Sequence, residues 1–345
     1  MTTLDSVAPA PLAAPQVLDR CRTSVAPALR EAVGRLHPWL GEMAAYSFGW
    51  CEVGGAPAAA SGGKGVRQAL ALLGAEAAGA PGRAGVPAAV AVELVHAFSL
   101  LHDDIMDGDQ ARRRRPTVWK AYGTGPAVLA GDALFALAVE ILAESRAGGA
   151  AVRLLSAALA DLVRGQADDL LFASRDWTGP GQVGPAEYRA MAEHKTGALL
   201  GCAAALGALL GGAPPATVAA LDRAGRHLGI AFQVVDDVLG IWGDPAVTGK
   251  PVHADLRERK KTYPVLAALG SGTPAARRLA TLLERGGEPA EAAALVAEAG
   301  GRAAATAEAR HHADAGKAAL AGVSLAAPAA GELREILEFL VRRDL

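Results

Sequence analysis

Aromatic residues are scarce in this sequence: Phe, Trp and Tyr together make 4% of its 345 residues. The core must therefore pack through smaller side chains, and the composition supplies them, with 41 glycines and alanine at about a quarter of the chain. Cysteine is nearly absent. Cys21, Cys51 and Cys202 are odd in number and show no C-x-x-C spacing, which excludes a zinc ribbon and a disulfide scaffold and leaves incidental buried thiols. A net charge of -2 excludes a nucleic-acid binder driven by bulk charge, and a hydrophobic share of 51% excludes a disordered chain. No secretory leader is expected either. The opening MTTLDSVAPAPLAAP has no basic region and is broken by prolines, so residues 1–15 read as a flexible arm and the expected location is cytoplasmic. The longest uncharged stretch, between Lys195 and Asp222, is interrupted by Gly211, Gly212, Pro214 and Pro215. That leaves an apolar helix shorter than the roughly 20 residues a bilayer needs, so no membrane span is expected.

Alternating β-branched runs are lacking too, and no strand precedes a glycine fingerprint, which excludes the Rossmann and P-loop readings. What is present is helical. Val86 to Met106, Gly131 to Glu144, Ala151 to Leu171 and Ala216 to Leu239 are apolar with helical spacing, and APGRAG, YGTGP, DWTGPGQVGP and GGAPP separate them. With no repeat and no shift in composition, residues 16–345 are expected to form one all-α domain, a large bundle whose functional groups project inward. Small core residues would leave room for a cavity.

Two acidic clusters close two of these helices. In LLHDDIMDGDQ, Asp103 and Asp107 are four apart and share a helix face, with Asp104 beside them. Like charges at that spacing repel, and at a helix C-terminus the macrodipole disfavours anions, so the placement calls for a cation. An EF-hand loop is excluded, because its third and twelfth positions would be Ile105 and Arg114. The second cluster, FQVVDDVLGIWGD, carries Asp236, Asp237 and Asp244. Hard oxygen ligands without histidine or cysteine favour magnesium, which keeps waters and bridges to substrate phosphates. Cations accompany both clusters: Arg112 to Arg115, then Lys250, Lys260 and Lys261, with Lys64 and Arg67 in SGGKGVR and Lys195 and Thr196 in EHKTG. Such side chains bind diphosphate oxygens. Carboxylates for magnesium beside separate cations suggest two diphosphates held differently. His311 and His312 read as surface residues of a charged helix.

GGKxxR, DDIMD with RR and PT after it, KT, FQxxDD and TGK resemble the trans-isoprenyl diphosphate synthase (polyprenyl synthetase) family, in the family's order from about Gly62 to Lys261. The resemblance implies an all-α isoprenoid synthase fold around a deep central cavity, a homodimer, and three magnesium ions. Asp103 and Asp107 would hold metal on the allylic diphosphate with Asp104 supporting, and Asp236 would hold the third ion with Asp237 beside it. Arg112, Lys195 and Lys260 would contact the allylic diphosphate, assisted by Lys250, Gln233 and Thr196. Lys64, Arg67, His96 and Arg113 would hold isopentenyl diphosphate. Ionisation of the allylic carbon–oxygen bond, attack by the isopentenyl double bond and loss of a proton would follow, the departing diphosphate acting as base.

The chain departs from the family pattern at three places. Gly240 replaces the last aspartate of the second motif, Gly65 replaces a basic residue, and Arg114 stands where glycine usually follows the arginine pair. Family members set product length with the residues four and five before the first aspartate, here Ser99 and Phe98. An aromatic residue beside a small one is similar to the geranylgeranyl type, and farnesyl is the nearest alternative. Further alternatives are a class I terpene cyclase, which needs no second diphosphate site, and a non-catalytic scaffold.

Overall fold

The structure, a computed structural model, describes residues 12–58, 63–245 and 251–342. About three-quarters of the chain is helical, as the sequence pattern requires. Two compact units share the described residues.

The first unit comprises Met1–Ser156, Cys202–Asp222 and Gly322–Glu335. It contains α1 (Ala14–Gly34), α2 (Pro38–Ser47), α3 (Val66–Ala77), α4 (Val86–Met106), α5 (Val118–Tyr122) and α6 (Thr124–Ala143). Helix α4 matches the sequence expectation residue for residue, started by a proline in its first turn. Its centre is buried apolar side chain, and it packs chiefly on α6 and α3. The Arg20 guanidinium ties α1 to α3 and to a later helix through Glu76 at 2.7 Å and Glu332 at 2.6 Å.

The small residues have a definite use here. A Cβ on Gly207 would overlap the Ala71 carbonyl, and one on Gly74 would overlap that of Ala204. Within this unit glycine and alanine bring helix backbones into contact, which differs from the expected role of leaving space. A single methyl at such a position costs about 1–3 kcal/mol through overpacking.

The second unit comprises Ala157–Gly201, Arg223–Ala321 and Ile336–Leu345. It holds most of α7 (Gly148–Ser174), α8 (Pro185–Ala192) and the latter part of α10 (Pro215–Trp242). A π-helical turn, Glu193–Gly197, links α8 to α9 (Ala198–Leu210). Short helices α11 (Ala254–Arg257) and α12 (Tyr263–Leu269) follow α10, then α13 (Pro274–Arg285), α14 (Pro289–Glu298), α15 (Gly301–Ala321) and α16 (Ala329–Arg342). One buried cluster gathers Phe172, Tyr188, Met191, Val234, Val238, Tyr263 and Leu266 around the second half of α10.

Strand structure, unexpected from the sequence, occurs once among the described residues. The four arginines fold into a two-stranded hairpin, β1 (Ala111–Arg112) against β2 (Arg115–Pro116). Two stretches, Gly82–Met106 and Thr124–Ala143, are long and apolar enough by length and composition to cross a bilayer, with 61% and 39% of their apolar windows buried inside the protein. Neither is the stretch that the sequence singled out. That one forms the thirteen-residue α9, whose residues from Ala198 to Ala208 are buried.

Candidate active site

In the first unit the last three turns of α4 carry His96, Phe98, Ser99, Asp103 and Asp104, and Asp107 caps the helix C-terminus. Helical spacing puts Asp103, half-buried, and Asp107, exposed, on one face, while Asp104 is buried. Arg112 on β1 clamps Asp104, donating from Nε at 2.8 Å and Nη2 at 2.7 Å. Burial pushes the Asp104 carboxyl up, and the Arg112 contact opposes it. The arginine run thus divides its labour. Arg113 and Arg114 form the hairpin turn with φ of 52° and 64°, and the position where the family pattern has glycine is a left-handed one. The Arg113 guanidinium reaches back to the glycine-rich loop, 3.0 Å from where a Cβ on Gly63 would stand. Arg115 belongs to the scaffold. It donates to the Cys51 carbonyl at 2.7 Å, pairs with Glu52 at 3.0 Å and covers the Tyr46 ring.

His96 sits on the α4 face toward Arg67 and Arg113. Burial and those two charges hold its imidazole well below the ordinary range, so it is neutral at pH 7 and able to donate one N–H. One turn earlier lies Glu93, which the sequence reading missed. Burial raises its carboxyl, Arg67 and Arg113 counter that, and Gln68 hydrogen-bonds it. The available signal was a lone acid in an apolar helix, three residues before His96. Lys64 is exposed at the loop, and Gly65 behind it is left-handed with φ of 71°, which suits glycine over a basic side chain.

Phe98 packs edge-on against His102 with ring centroids 4.8 Å apart and against Phe135 of α6 at 5.7 Å. A Cβ on Gly131 would overlap the His102 ring, so that glycine lets α6 approach α4 here. Ser99 turns its hydroxyl back to the His96 carbonyl at 2.9 Å.

In the second unit α10 presents Gln233, Asp236 and Asp237. Asp236 is exposed; Asp237 is buried and accepts from Tyr188 Oη at 2.5 Å, the Tyr263 backbone N–H at 2.8 Å and Gln233 Nε2 at 3.2 Å. Burial, with Asp255 nearby, pushes its carboxyl up to about 7. Asp237 therefore joins α10 to α8 and α12, and Asp236 is the open carboxylate. Thr196 donates its hydroxyl to Gln233 Oε1 at 2.9 Å. Lys195, on the π-turn, bonds Asp169 of α7 at 2.5 Å. This turn is pressed onto α7 because Gly165 has no side chain where the Lys195 backbone passes. Lys260 is partly exposed and pairs with Glu258 at 2.8 Å. Lys261 is instead buried, its ammonium 3.4 Å over the Trp177 ring, and burial together with Arg259 lowers it to about 8. Lys250 lies outside the described residues.

Asp169, Gln166 and Asp255 were also missed. Gln166, one turn before Asp169, is buried with neither amide atom bonded to a described residue. Its Q-x-x-D spacing on a helix was the readable signal. His312 corrects the surface expectation: it is buried, with Nδ1 2.9 Å from His227 Nδ1, because α15 packs this face on α10, whereas His311 is exposed.

Magnesium fits these residues by donor chemistry. Each motif offers an accessible carboxylate with no competing soft ligand, and an ion that keeps waters needs only one or two such groups plus phosphate. Beside Asp236, the space a side chain at Gly240 would fill is taken by the Asp255 carboxylate, which adds oxygen donors there.

Comparison with known proteins bears on this arrangement directly. Residues 56–299 match the polyprenyl synthetase family model. A (2E,6E)-farnesyl diphosphate synthase of Mycobacterium tuberculosis is 45% identical over 338 residues, spanning 95% of this chain and 93% of the relative. A geranylgeranyl diphosphate synthase of the same organism is 46% identical over 293 residues, 83% and 82% of the two chains. The crystal structure of a polyprenyl synthetase from Streptomyces coelicolor A3(2) superimposes with a TM-score of 0.89 at 46% identity, covering 95% of this chain and 99% of the other. With both acidic motifs and the cations around them in family order, the chain belongs to the polyprenyl synthetase family of prenyl transferases.

Proposed function

We propose that this chain is a short-chain prenyl diphosphate synthase that condenses isopentenyl diphosphate with an allylic diphosphate to geranylgeranyl diphosphate. Relatives named for farnesyl and for geranylgeranyl products lie at nearly equal identity, so the product rests on the aromatic contact of Phe98 with Phe135. A farnesyl product is the second reading, favoured by the farnesyl synthase that matches 95% of the chain.

Magnesium, three ions held by Asp103, Asp107 and Asp236, would supply positive charge against the leaving diphosphate. Arg112, Lys195 and Lys260 add fixed cations for the same oxygens, with Lys250 assisting. Thr196 gives its proton to Gln233, so its oxygen offers lone pairs to a neighbouring positive carbon. Neutral His96 donates an N–H to the second diphosphate beside Arg67, Arg113 and Lys64. Apolar helix faces keep water from an allylic cation. The exposed apolar residues of α6, Leu129 at 54% and Phe135 at 37%, support a homodimer built on that helix.

An elongation assay with magnesium, radiolabelled isopentenyl diphosphate and allylic primers of increasing length tests the reading. Twenty-carbon products are expected from the native chain and longer ones from Phe98→Ala; fifteen-carbon products from the native chain support the farnesyl reading. Unchanged product length in the variant removes Phe98 as the floor. Leu129→Glu is expected to shift the protein toward monomer in light scattering.

A further inference from the structure

A line of hydrogen bonds runs from α15 to Thr196, wholly within the second unit. It begins at two histidines that the catalytic assignment leaves unused. His227 of α10 and His312 of α15 meet Nδ1 to Nδ1 at 2.9 Å, and His312 Nε2 lies 3.2 Å from Glu308 Oε1. Glu308 accepts from Tyr263 Oη at 2.9 Å and from Arg189. The Tyr263 backbone N–H donates to Asp237 Oδ2 at 2.8 Å, and Gln233 Nε2 donates to Asp237 Oδ1 at 3.2 Å. Thr196 closes the line by donating to Gln233 Oε1 at 2.9 Å. His312, Tyr263, Asp237 and Thr196 are all buried, so water competes little for these bonds.

The proton positions follow from Glu308. Burial opposes its charge, but Arg189 and Tyr263 hold its carboxyl down at about 2, so at neutral pH it only accepts. His312 must then carry its proton on Nε2; its Nδ1 accepts, and His227 donates from Nδ1. Burial holds both imidazoles below the ordinary range, so the pair is neutral at pH 7. The ionisable groups facing it are Arg223 on α10, Glu193 on the π-turn, and Glu308 and His311 on α15, with Arg189 of α8 and Tyr263 of α12 behind Glu308. A first added proton can enter at His227 Nε2 and leave the contact intact. A second, on His312 Nδ1, sets two N–H donors face to face and parts them.

We propose that His312, set by His227, is a positioning residue for the allylic half of the site, acting through Glu308, Tyr263 and Asp237 to orient Gln233 and Thr196. A parted pair frees Glu308, Tyr263 shifts with it, and Asp237 no longer gives the Gln233 amide a fixed acceptor. The Thr196 oxygen then loses its aim. The assignment deepens the prenyl-transfer reading above and rests on it.

Two measurements test it, one of them independent of turnover. The first follows the Gln233 side-chain amide by NMR from about pH 8 to 5. In native protein its resonances are expected to move in a step below about pH 6.5, separate from the step that Asp237 produces at about 7. His312→Leu should abolish the lower step. His227→Asn keeps a donor toward His312 without taking up a proton, so the lower step should shrink while the neutral-pH spectrum stays native-like. The second measurement is steady-state elongation at neutral pH. There His227→Leu should raise KM for the allylic diphosphate by about fivefold and leave that for isopentenyl diphosphate unchanged, and His227→Asn should restore the native value.

A lower step that persists unaltered in folded His312→Leu overturns the proposal, as does a native allylic KM in His227→Leu. If His312→Leu unfolds, His227→Leu, at a partly exposed position, decides by the same two readings. A lowered melting temperature without either change makes the pair structural only, which also overturns it. Native protein that elongates no allylic primer sinks the synthase reading instead, and the amide titration still decides the coupling.

Discussion

Arg114 carries a local strain that its neighbours in the hairpin turn make unavoidable. Both turn positions are left-handed, and a non-glycine residue there costs about 1 kcal/mol. Arg114→Gly is expected to raise thermal stability by about that amount while leaving turnover unchanged, since Arg112 and Arg113 keep their places. A lower melting temperature would show that Arg114 is held by contacts worth more than the strain. The opposite sign is expected at Tyr188. Its hydroxyl donates to buried Asp237, so Tyr188→Phe leaves that carboxylate one donor short, at about 1–3 kcal/mol in chemical denaturation. Residue identity at the site was legible wherever charge stood against apolar surroundings, as with Asp103, Asp107, Asp236 and His96. It was not legible for Asp169, Glu93 and Asp255, whose partners are distant in sequence. A pattern along one helix shows which face a residue takes and says nothing about what waits opposite.

At the scale of elements, α8, α10, α12 and α15 are joined by a polar network inside an apolar cluster. Glu308 of α15 accepts from Arg189 and from Tyr263 at 2.9 Å, and His312 Nε2 lies 3.2 Å from it. Burial opposes the Glu308 charge, but the hydrogen bonds of Arg189 and Tyr263 outweigh it and hold the carboxyl down at about 2. A depressed carboxyl contributes stability that is fully present above its unfolded value near 4.5 and is lost as pH falls toward 2. The native protein should lose on the order of 2 kcal/mol over that window, and Glu308→Gln should flatten the loss in urea titrations at several pH values. His227 and His312, both lowered by burial, add a separate loss on acidification through about 6.5. Helix α4 was readable end to end because apolar residues dominate it from Pro87 to the acidic cluster, with only Glu93, His96, Ser99 and His102 polar among them. The hairpin was not, because its two left-handed residues are arginines and the usual glycine or asparagine signal is missing.

Across the whole molecule, the two units are interleaved along the chain. Four of their five boundaries fall inside helices, in α7, α9, α10 and α16, and the fifth lies at the end of α15, between Ala321 and Gly322. This is why composition shows no domain break. A helix that crosses a boundary must break before one unit can unfold alone, so a single calorimetric transition is expected, and two resolved transitions would contradict it. Magnesium with inorganic diphosphate should raise that transition by several degrees, through preferential binding to the folded state. Asp103→Asn and Asp236→Asn should each diminish the rise, one motif lying in each unit.

The π-turn at Glu193–Gly197 amounts to one surplus residue in an otherwise continuous helical path from α8 to α9. Deleting a single residue within it would let an ordinary helix run through and swing everything upstream by about 100° relative to α9. Lys195 would then leave Asp169, and Tyr188 would leave Asp237, although every side chain that makes those contacts was still encoded. A one-codon deletion is thus a sharper lesion here than most substitutions. Reinserting an alanine anywhere in the turn should restore the register, which makes the turn a place where length, more than identity, is under constraint.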